Sequence, residues 1–167
     1  MHFTAEHSFP AEPARVGALM VDPVFEASVA LPDLSPPEVV EHSDAGAEHV
    51  LRLRYEYVGE LDPMAKRLLA GRSLTLVQAV RLDPTTGRGT LTLEAEADPG
   101  RLHGSARITI DAEDGDSSVR RLDGDFVVKV PLVGGAVERR LLPGVLSRFD
   151  VEAAALTARL RADDTVR

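Results

Sequence analysis

Seven segments of the chain have the composition of β-strands, and in six of them apolar and polar residues alternate. In the third segment, for example, Leu51, Leu53 and Tyr55 alternate with charged residues, so one face is apolar and the other faces water. The seven segments are residues 2–9, 38–44, 51–57, 73–82, 90–97, 106–110 and 122–130. The pattern predicts strands that each bury one face.

Three short helices are predicted between these strands. Pro13 begins the first, and a second follows over about residues 23–30, because proline is well suited to the first turn of a helix. The third lies between the third and fourth strands, where Asp62 is a capping residue, Pro63 begins the helix and Gly71 ends it. The proline-rich segment LPDLSPP is predicted to be a linker.

The last part of the chain changes to a helical period. Apolar residues recur every three or four positions over 137–160, which predicts one long amphipathic helix. Pro143 cannot donate a backbone hydrogen bond, so we expect a kink or break there, with a free carbonyl group facing the protein interior. Gly134 and Gly135 are expected to allow the sharp turn from the last strand into the helix.

The order of elements indicates one α+β domain spanning residues 1–167. Six successive strands joined by short turns predict a mainly antiparallel sheet with one apolar face. Only the terminal helix is long enough to cover that face.

Composition excludes several classes of function. The chain has 19 Lys and Arg against 27 Asp and Glu, a net charge of −8, so we expect no nucleic-acid partner. It has no cysteine, which removes thiolate chemistry. The first residues, MHFTAEHSF, lack the features of a signal peptide, and no segment is apolar and long enough to span a membrane. We therefore expect a cytoplasmic protein without stable membrane insertion.

The chain resembles DUF2505, an actinobacterial family of unknown function, over nearly its whole length. The segments that carry this resemblance are HFTAEHSFP, DPMAKRLL, ADPGRLHG and VKVPLVGGAVERRLLPG. The resemblance implies a helix-grip fold of the START-like, SRPBCC or Bet v 1-like superfamily, in which a curved sheet of about seven strands grips the last helix around a cavity. Members of that superfamily bind lipids, sterols, plant hormones or quinones, and some cyclise polyketides.

Candidate ligand-binding residues follow from the inward faces of the predicted strands and helix. Four of them are polar, namely His7, Tyr55, Tyr57 and Gln78, and we expect them to contact a carbonyl or hydroxyl group of an apolar ligand. The apolar candidates are Leu76, Leu93, Ile108, Phe126, Val128, Leu141, Val145 and Phe149. Leu61, Met64 and Leu68, on one side of the third predicted helix, are candidates for a gate, together with the proline-rich linker at residues 31–37.

Evidence in the sequence for catalysis is weak. His7 could act as a general base, with Glu41 as the one carboxylate available to orient it. The remaining histidines have no metal-site spacing, so no metal or cofactor is expected. The pairs Arg120-Arg121 and Arg139-Arg140 are interpreted as solvated surface.

Three functions remain open. The first is binding, sequestration or presentation of a small or medium-sized hydrophobic ligand by a monomer or homodimer. The second is a cyclase, dehydratase or hydrolase acting on a similar ligand. The third is an interaction domain whose core is filled by side chains.

Overall fold

The computed structural model describes residues 1–61 and 63–165, without the side chains at positions 64, 65 and 68. Within these residues the strands are β1 (His2–Phe9), β2 (Glu38–Ser43), β3 (His49–Glu56), β4 (Thr75–Asp83), β5 (Arg88–Ala95), β6 (Leu102–Ala112) and β7 (Ser118–Val128). The helices are α1 (Pro13–Met20), α2 (Pro23–Ser28), α3 (Pro63–Leu69) and α4 (Gly134–Thr165). Each predicted strand and helix is therefore present.

The strands form one antiparallel sheet in the order β1-β7-β6-β5-β4-β3-β2. Strands that follow one another in the chain are neighbours from β2 to β7, and β1 pairs with β7 to complete the sheet. The pairing of β1 with β7 places His7 opposite Arg120. This register matters for the site described below, because both side chains lie on the inner face.

The inner face of the sheet and one face of α4 form the hydrophobic core. Side chains on the sheet alternate between buried and exposed, most clearly along β7, as the sequence pattern predicts. Phe3 on β1 stacks on Phe149 of α4, with ring centroids 6.2 Å apart. Helix α4 comes closest to β7 and β1, so it covers one half of the sheet more tightly than the other.

Helix α4 is continuous, with Pro143 inside it. The predicted break into two helices therefore does not occur. Pro143 has no N–H group, so the carbonyl of Arg139 lacks its usual helical donor. Arg139 itself is exposed. A free carbonyl that serves a ligand stays a prediction.

The turn into α4 uses a different residue from the one expected. Leu132 has a φ of 68° and is fully exposed, whereas Gly134 already belongs to the helix. Gly134 is needed for space instead, since a Cβ there would lie 2.4 Å from the carbonyl oxygen of Val128. The glycine thus permits close packing of the helix start against the end of β7.

Helix α2 is held by a local cap that directs one acidic residue inward. The carboxylate of Asp22 accepts hydrogen bonds from the backbone N–H groups of Val24 and Phe25, at 2.8 and 3.3 Å. Pro23 occupies the first turn. In the helix held in this way, Phe25 and Glu26 are both buried.

Candidate ligand-binding site

A cavity of about 560 Å³ lies between α4 and the inner face of the sheet. It forms where α4 is less closely packed on the sheet, on the side away from β1. Its apolar walls come from Leu61, Leu74, Leu76, Leu93, Leu102, Phe126, Leu141 and Val145. We call this space the wide cavity.

Four charged residues also line the wide cavity, namely Asp33, Glu60, Arg140 and Arg148. The Nε of Arg148 donates to the carbonyl oxygen of Pro32 at 3.4 Å, which ties α4 to the proline-rich linker. Burial lowers the pKa of the Arg148 guanidinium, and the nearby Tyr57 and Asp33 partly oppose this shift. The cavity is therefore apolar along its walls, with a few charges that can orient a polar group.

A second, much smaller space of about 20 Å³ adjoins the wide cavity. The two share Leu76, Leu93, Val145 and Arg148 in their walls. We call the smaller space the deep chamber. Its polar lining comes from Glu26, Tyr55, Gln78 and Glu152, in addition to Arg148.

Next to the deep chamber lies a buried arginine. The side chain of Arg120 on β7 is inaccessible to solvent, and its Nη1 lies 3.1 Å from the Oε1 of Glu152 on α4. Its Nη2 donates to the carbonyl oxygen of Phe149 at 3.4 Å, and its guanidinium lies over the ring of Phe9 at 5.6 Å. A charged group buried this deeply requires such partners to offset its lost hydration.

His7 belongs to this arginine cluster. Nη2 of Arg120 lies 3.2 Å from Nδ1 of His7, and Nε2 of His7 lies 2.9 Å from the carboxylate of Asp150. Since the guanidinium can only donate, Nδ1 accepts, and the ring proton is on Nε2 facing Asp150. His7 thus connects a buried arginine to an exposed carboxylate at the surface.

Glu26 and Tyr55 each have a buried oxygen without a hydrogen-bond partner, whereas both Nη atoms of Arg120 have partners and only its Nε has none among the described residues. Among the described residues, neither Oε1 of Glu26 nor the hydroxyl of Tyr55 has a partner, although both side chains are buried. Burial raises the pKa of Glu26 well above its usual range, and the nearby Glu152 adds to this effect, while Arg120 opposes it. Burial also raises the pKa of Tyr55, helped by Glu26 and Glu152. Burial thus favours the neutral, protonated form of both groups.

The structure divides the predicted site residues among three spaces. Tyr57, Leu76, Leu93, Phe126, Leu141 and Val145 line the wide cavity. Tyr55, Gln78 and Phe149 line the deep chamber, and Val128 lines a separate cleft of about 180 Å³ on the side of α3. His7 and Ile108 line none of these spaces: His7 bonds to Arg120 and Asp150, and Ile108 is fully buried in the core.

The predicted gate is only partly described. Leu61 lines both the wide cavity and the cleft beside α3. Asp62 and the side chains of Met64 and Leu68 lie outside the described residues. The proline-rich linker does lie against the site, since Asp33 lines the wide cavity and Leu31 and Leu34 line the deep chamber. Gating by these segments stays a prediction.

Sequence reasoning missed the buried ionic groups. Arg120 was assigned to solvated surface, which is wrong, whereas its neighbour Arg121 is half exposed and pairs with Glu6. The sequence pattern does indicate burial of Arg120, because Leu122 points inward and the strand period of two residues places Arg120 on the same face. Glu152 similarly falls three residues after Phe149 on the apolar face of α4.

Glu41 does not orient His7. It is exposed on the edge strand β2, opposite Arg52 of β3, and the carboxylate beside His7 is Asp150 on α4. The inward faces of the strands could not reveal this partner, because it comes from the helix packed over them.

In the described part of the chain, no group of three or more His, Asp or Glu side chains is arranged to hold a metal ion. None of its helices is both long and apolar enough to cross a membrane.

The sheet, the terminal helix and the cavity between them define the START-like helix-grip class, and solved structures agree. A START superfamily protein from Mycobacterium smegmatis has a TM-score of 0.59 and 20% identity, covering 96% of this chain and 97% of that one. The Zhui aromatase/cyclase from Streptomyces sp. R1128 has a TM-score of 0.66 and 16% identity, covering 98% of this chain and 97% of that one. The protein TTHA0849 from Thermus thermophilus has a TM-score of 0.68 and 19% identity, covering 98% of this chain and 99% of that one.

The family model described as protein of unknown function, DUF2505, matches residues 4–160. The chain belongs to the DUF2505 family. No curated protein sequence matches it. At these low identities the solved structures establish the fold alone.

Proposed function

We propose that this protein binds a small or medium-sized hydrophobic ligand, of lipid, polyketide or quinone type, and sequesters or presents it. The observation that carries the proposal is the wide cavity of about 560 Å³ with mainly leucine and other apolar walls. Ligand sites in proteins are typically apolar clefts of about 300–1,000 Å³ with a few polar groups. Each Å² of apolar ligand surface buried there would contribute about 25 cal/mol.

The charged residues of the wide cavity support a ligand with one polar end. Arg140 and Arg148 on α4 and Asp33 on the linker could orient such a group while the apolar part contacts the leucines. Similarity in fold to an aromatase/cyclase supports a ligand that is aromatic or can become so. Our proposed setting is the cytoplasm, with the protein acting as a monomer or homodimer.

Two glycines of α4 offer a matched test. Gly144 lines the wide cavity and Gly135 does not, and a Cβ at either position meets no atom closer than 4.0 Å. We expect Gly144→Trp to weaken binding of the fluorescent apolar probe N-phenylnaphthylamine roughly tenfold, equivalent to about 1.4 kcal/mol. Gly135→Trp should leave the affinity unchanged.

Native mass spectrometry of the purified protein complements this titration. A small apolar molecule that co-purifies with wild type and is depleted in Gly144→Trp would identify the ligand class. If wild type neither carries a molecule nor binds the probe, or if both tryptophan variants bind the probe as wild type does, the wide cavity is not a binding site.

An enzyme acting on a similar ligand is the second candidate, and the deep chamber favours it. His7, the residue expected to act as a base, lies outside both spaces, but Glu26 and Tyr55 present unpartnered polar atoms beside the wide cavity. If a co-purified molecule is released and added back, an enzyme would convert it to a product that chromatography separates from it, and Tyr55→Phe would slow that conversion. A filled-core interaction domain has less support, because the cavity is not filled by side chains.

A further inference from the structure

Two residues that line the deep chamber each have a buried oxygen atom that no described residue satisfies. The two atoms are the hydroxyl oxygen of Tyr55 on β3 and Oε1 of Glu26 on α2, in side chains that are 2% and 4% exposed. Both residues line the chamber of about 20 Å³. An unsatisfied buried polar group is costly, so native proteins seldom keep one without a role.

The size of the chamber restricts what can meet these two oxygens. A space of about 20 Å³ accommodates one water-sized group, since a single such group needs roughly 10–15 Å³. It is too small for a carboxylate or a phosphate. Because the chamber adjoins the wide cavity, a ligand held there could place one oxygen atom inside it.

The charges around Glu26 decide whether it donates or accepts. Asp22 lies at the start of its own helix, Glu152 approaches from α4 and Arg120 from β7. Burial and the two carboxylates outweigh the arginine, which already bonds to Glu152 and to His7. These surroundings favour the protonated form of Glu26, and a neutral carboxylic acid in an apolar site can donate a hydrogen bond.

Two neutral O–H groups beside a space for one atom can both donate to a single acceptor oxygen, which has two lone pairs. We propose that the deep chamber is a carbonyl-binding subsite, in which Tyr55 and the protonated Glu26 both donate to one ketone oxygen of the apolar ligand. This inference rests on the proposed function and specifies the chemistry of the ligand. The ketone oxygen would displace no existing hydrogen bond, because neither the Tyr55 hydroxyl nor Oε1 of Glu26 has a hydrogen-bond partner among the described residues.

The test uses two fluorescent probes of similar apolar character. Prodan, a dimethylaminonaphthyl ketone, carries the carbonyl group, and N-phenylnaphthylamine does not. We expect wild type to bind both, and the carbonyl stretching band of bound prodan to shift to lower frequency in isotope-edited infrared spectra. Tyr55→Phe should weaken prodan binding roughly three- to tenfold and reverse part of that shift, while the affinity for N-phenylnaphthylamine stays within about twofold.

Variants at Glu26 provide the second arm. Glu26→Gln should keep prodan affinity within about twofold, because the amide also donates, whereas Glu26→Leu should weaken it as much as Tyr55→Phe. Prodan binding to wild type should decline as pH rises and Glu26 loses its proton, and Glu26→Gln should remove that decline. Circular dichroism verifies that each variant is folded, and Tyr55→Phe, which removes only an unpartnered hydroxyl, should be at least as stable as wild type.

The possible failures are distinguishable. If wild type binds neither probe, the proposed function fails and the subsite with it. If both probes bind but Tyr55→Phe and Glu26→Leu change neither the prodan affinity nor the carbonyl band, the subsite is overturned while the binding cavity stands. A crystal structure with prodan in the wide cavity and a water molecule between Tyr55 and Glu26 would also overturn it.

Discussion

The two halves of the interface between α4 and the sheet surround their buried polar groups differently. In the half formed by β1 and β7, which we call the closed half, α4 packs tightly and Arg120 contacts Glu152, His7 and the carbonyl of Phe149. In the half formed by β3, β4 and β5, the open half, α4 leaves the wide cavity. There the equally buried Tyr55 has no partner for its hydroxyl among the described residues.

The comparison shows that burial alone does not identify a binding site. Arg120 is as deeply buried as Tyr55 and is the more costly group to bury, yet both of its Nη atoms have partners and only its Nε lacks one among the described residues. Tyr55 and Glu26 are candidates for function because they combine burial, a missing partner and an adjoining space. The useful observation is the number of partners that each buried polar group has, taken together with the cavity beside it.

The largest predicted effect concerns the closed half. Replacing Arg120 by methionine leaves the Glu152 carboxylate buried without its cation, so we expect a loss of about 3–5 kcal/mol in the free energy of unfolding measured in urea. Arg121→Met on the same strand is the matched control. Arg121 is 48% exposed and pairs with Glu6 at 2.7 Å, so its loss should cost less than about 1 kcal/mol. Equal effects of the two substitutions would show that the arginine cluster does not stabilise the closed half.

A second prediction compares leucines from the two halves. Leu122 on β7 is 1% exposed, and Leu122→Ala should cost about 2–5 kcal/mol, because a cavity forms in a packed core. Leu93 on β5 is half buried and borders the wide cavity, so Leu93→Ala should cost roughly 1 kcal/mol. Thermal and urea unfolding of both variants provide the measurement. A larger loss for Leu93 than for Leu122 would mean that the open half is packed as tightly as the closed half.

The smallest expected effect is a pH dependence at Glu26. Its pKa is raised in the folded state, so the folded protein holds a proton that the unfolded chain releases above about pH 4.3, and stability falls as pH rises above that value. Glu26→Gln cannot lose a proton, so its stability relative to wild type should increase with pH. Urea unfolding from pH 4 upward, in steps of about one unit, measures this difference. A stability difference that stays constant with pH would contradict the raised pKa.

Much of the fold was predictable because the sheet has a strong periodic signal. Alternation along the strands assigned Leu76, Leu93 and Phe126 to the inner face, and all three line the wide cavity. The same logic extended by two residues along β7 would have assigned Arg120 to that face. Two adjacent arginines in an acidic chain instead favour solvent exposure, which is the weaker signal here.

The partners of buried groups were not predictable in the same way. His7 was correctly placed on the inner face, but its contacts with Arg120 and Asp150 depend on the position of α4 over β1. Pro143 predicts a kink or a break, yet α4 is continuous through it. These outcomes depend on contacts between residues far apart in sequence.

The sequence by itself determined the strands, the helices, the antiparallel order and the class of fold, because each follows from local periodicity and from the resemblance to DUF2505. The tertiary structure decided where α4 lies on the sheet, and therefore which half is closed and which contains a cavity. It also decided that Arg120 has partners, while Tyr55 and Glu26 each keep an oxygen that no described residue satisfies. The physical reason is that hydrogen-bond partners and empty space are properties of several elements packed together, which no single stretch of sequence contains.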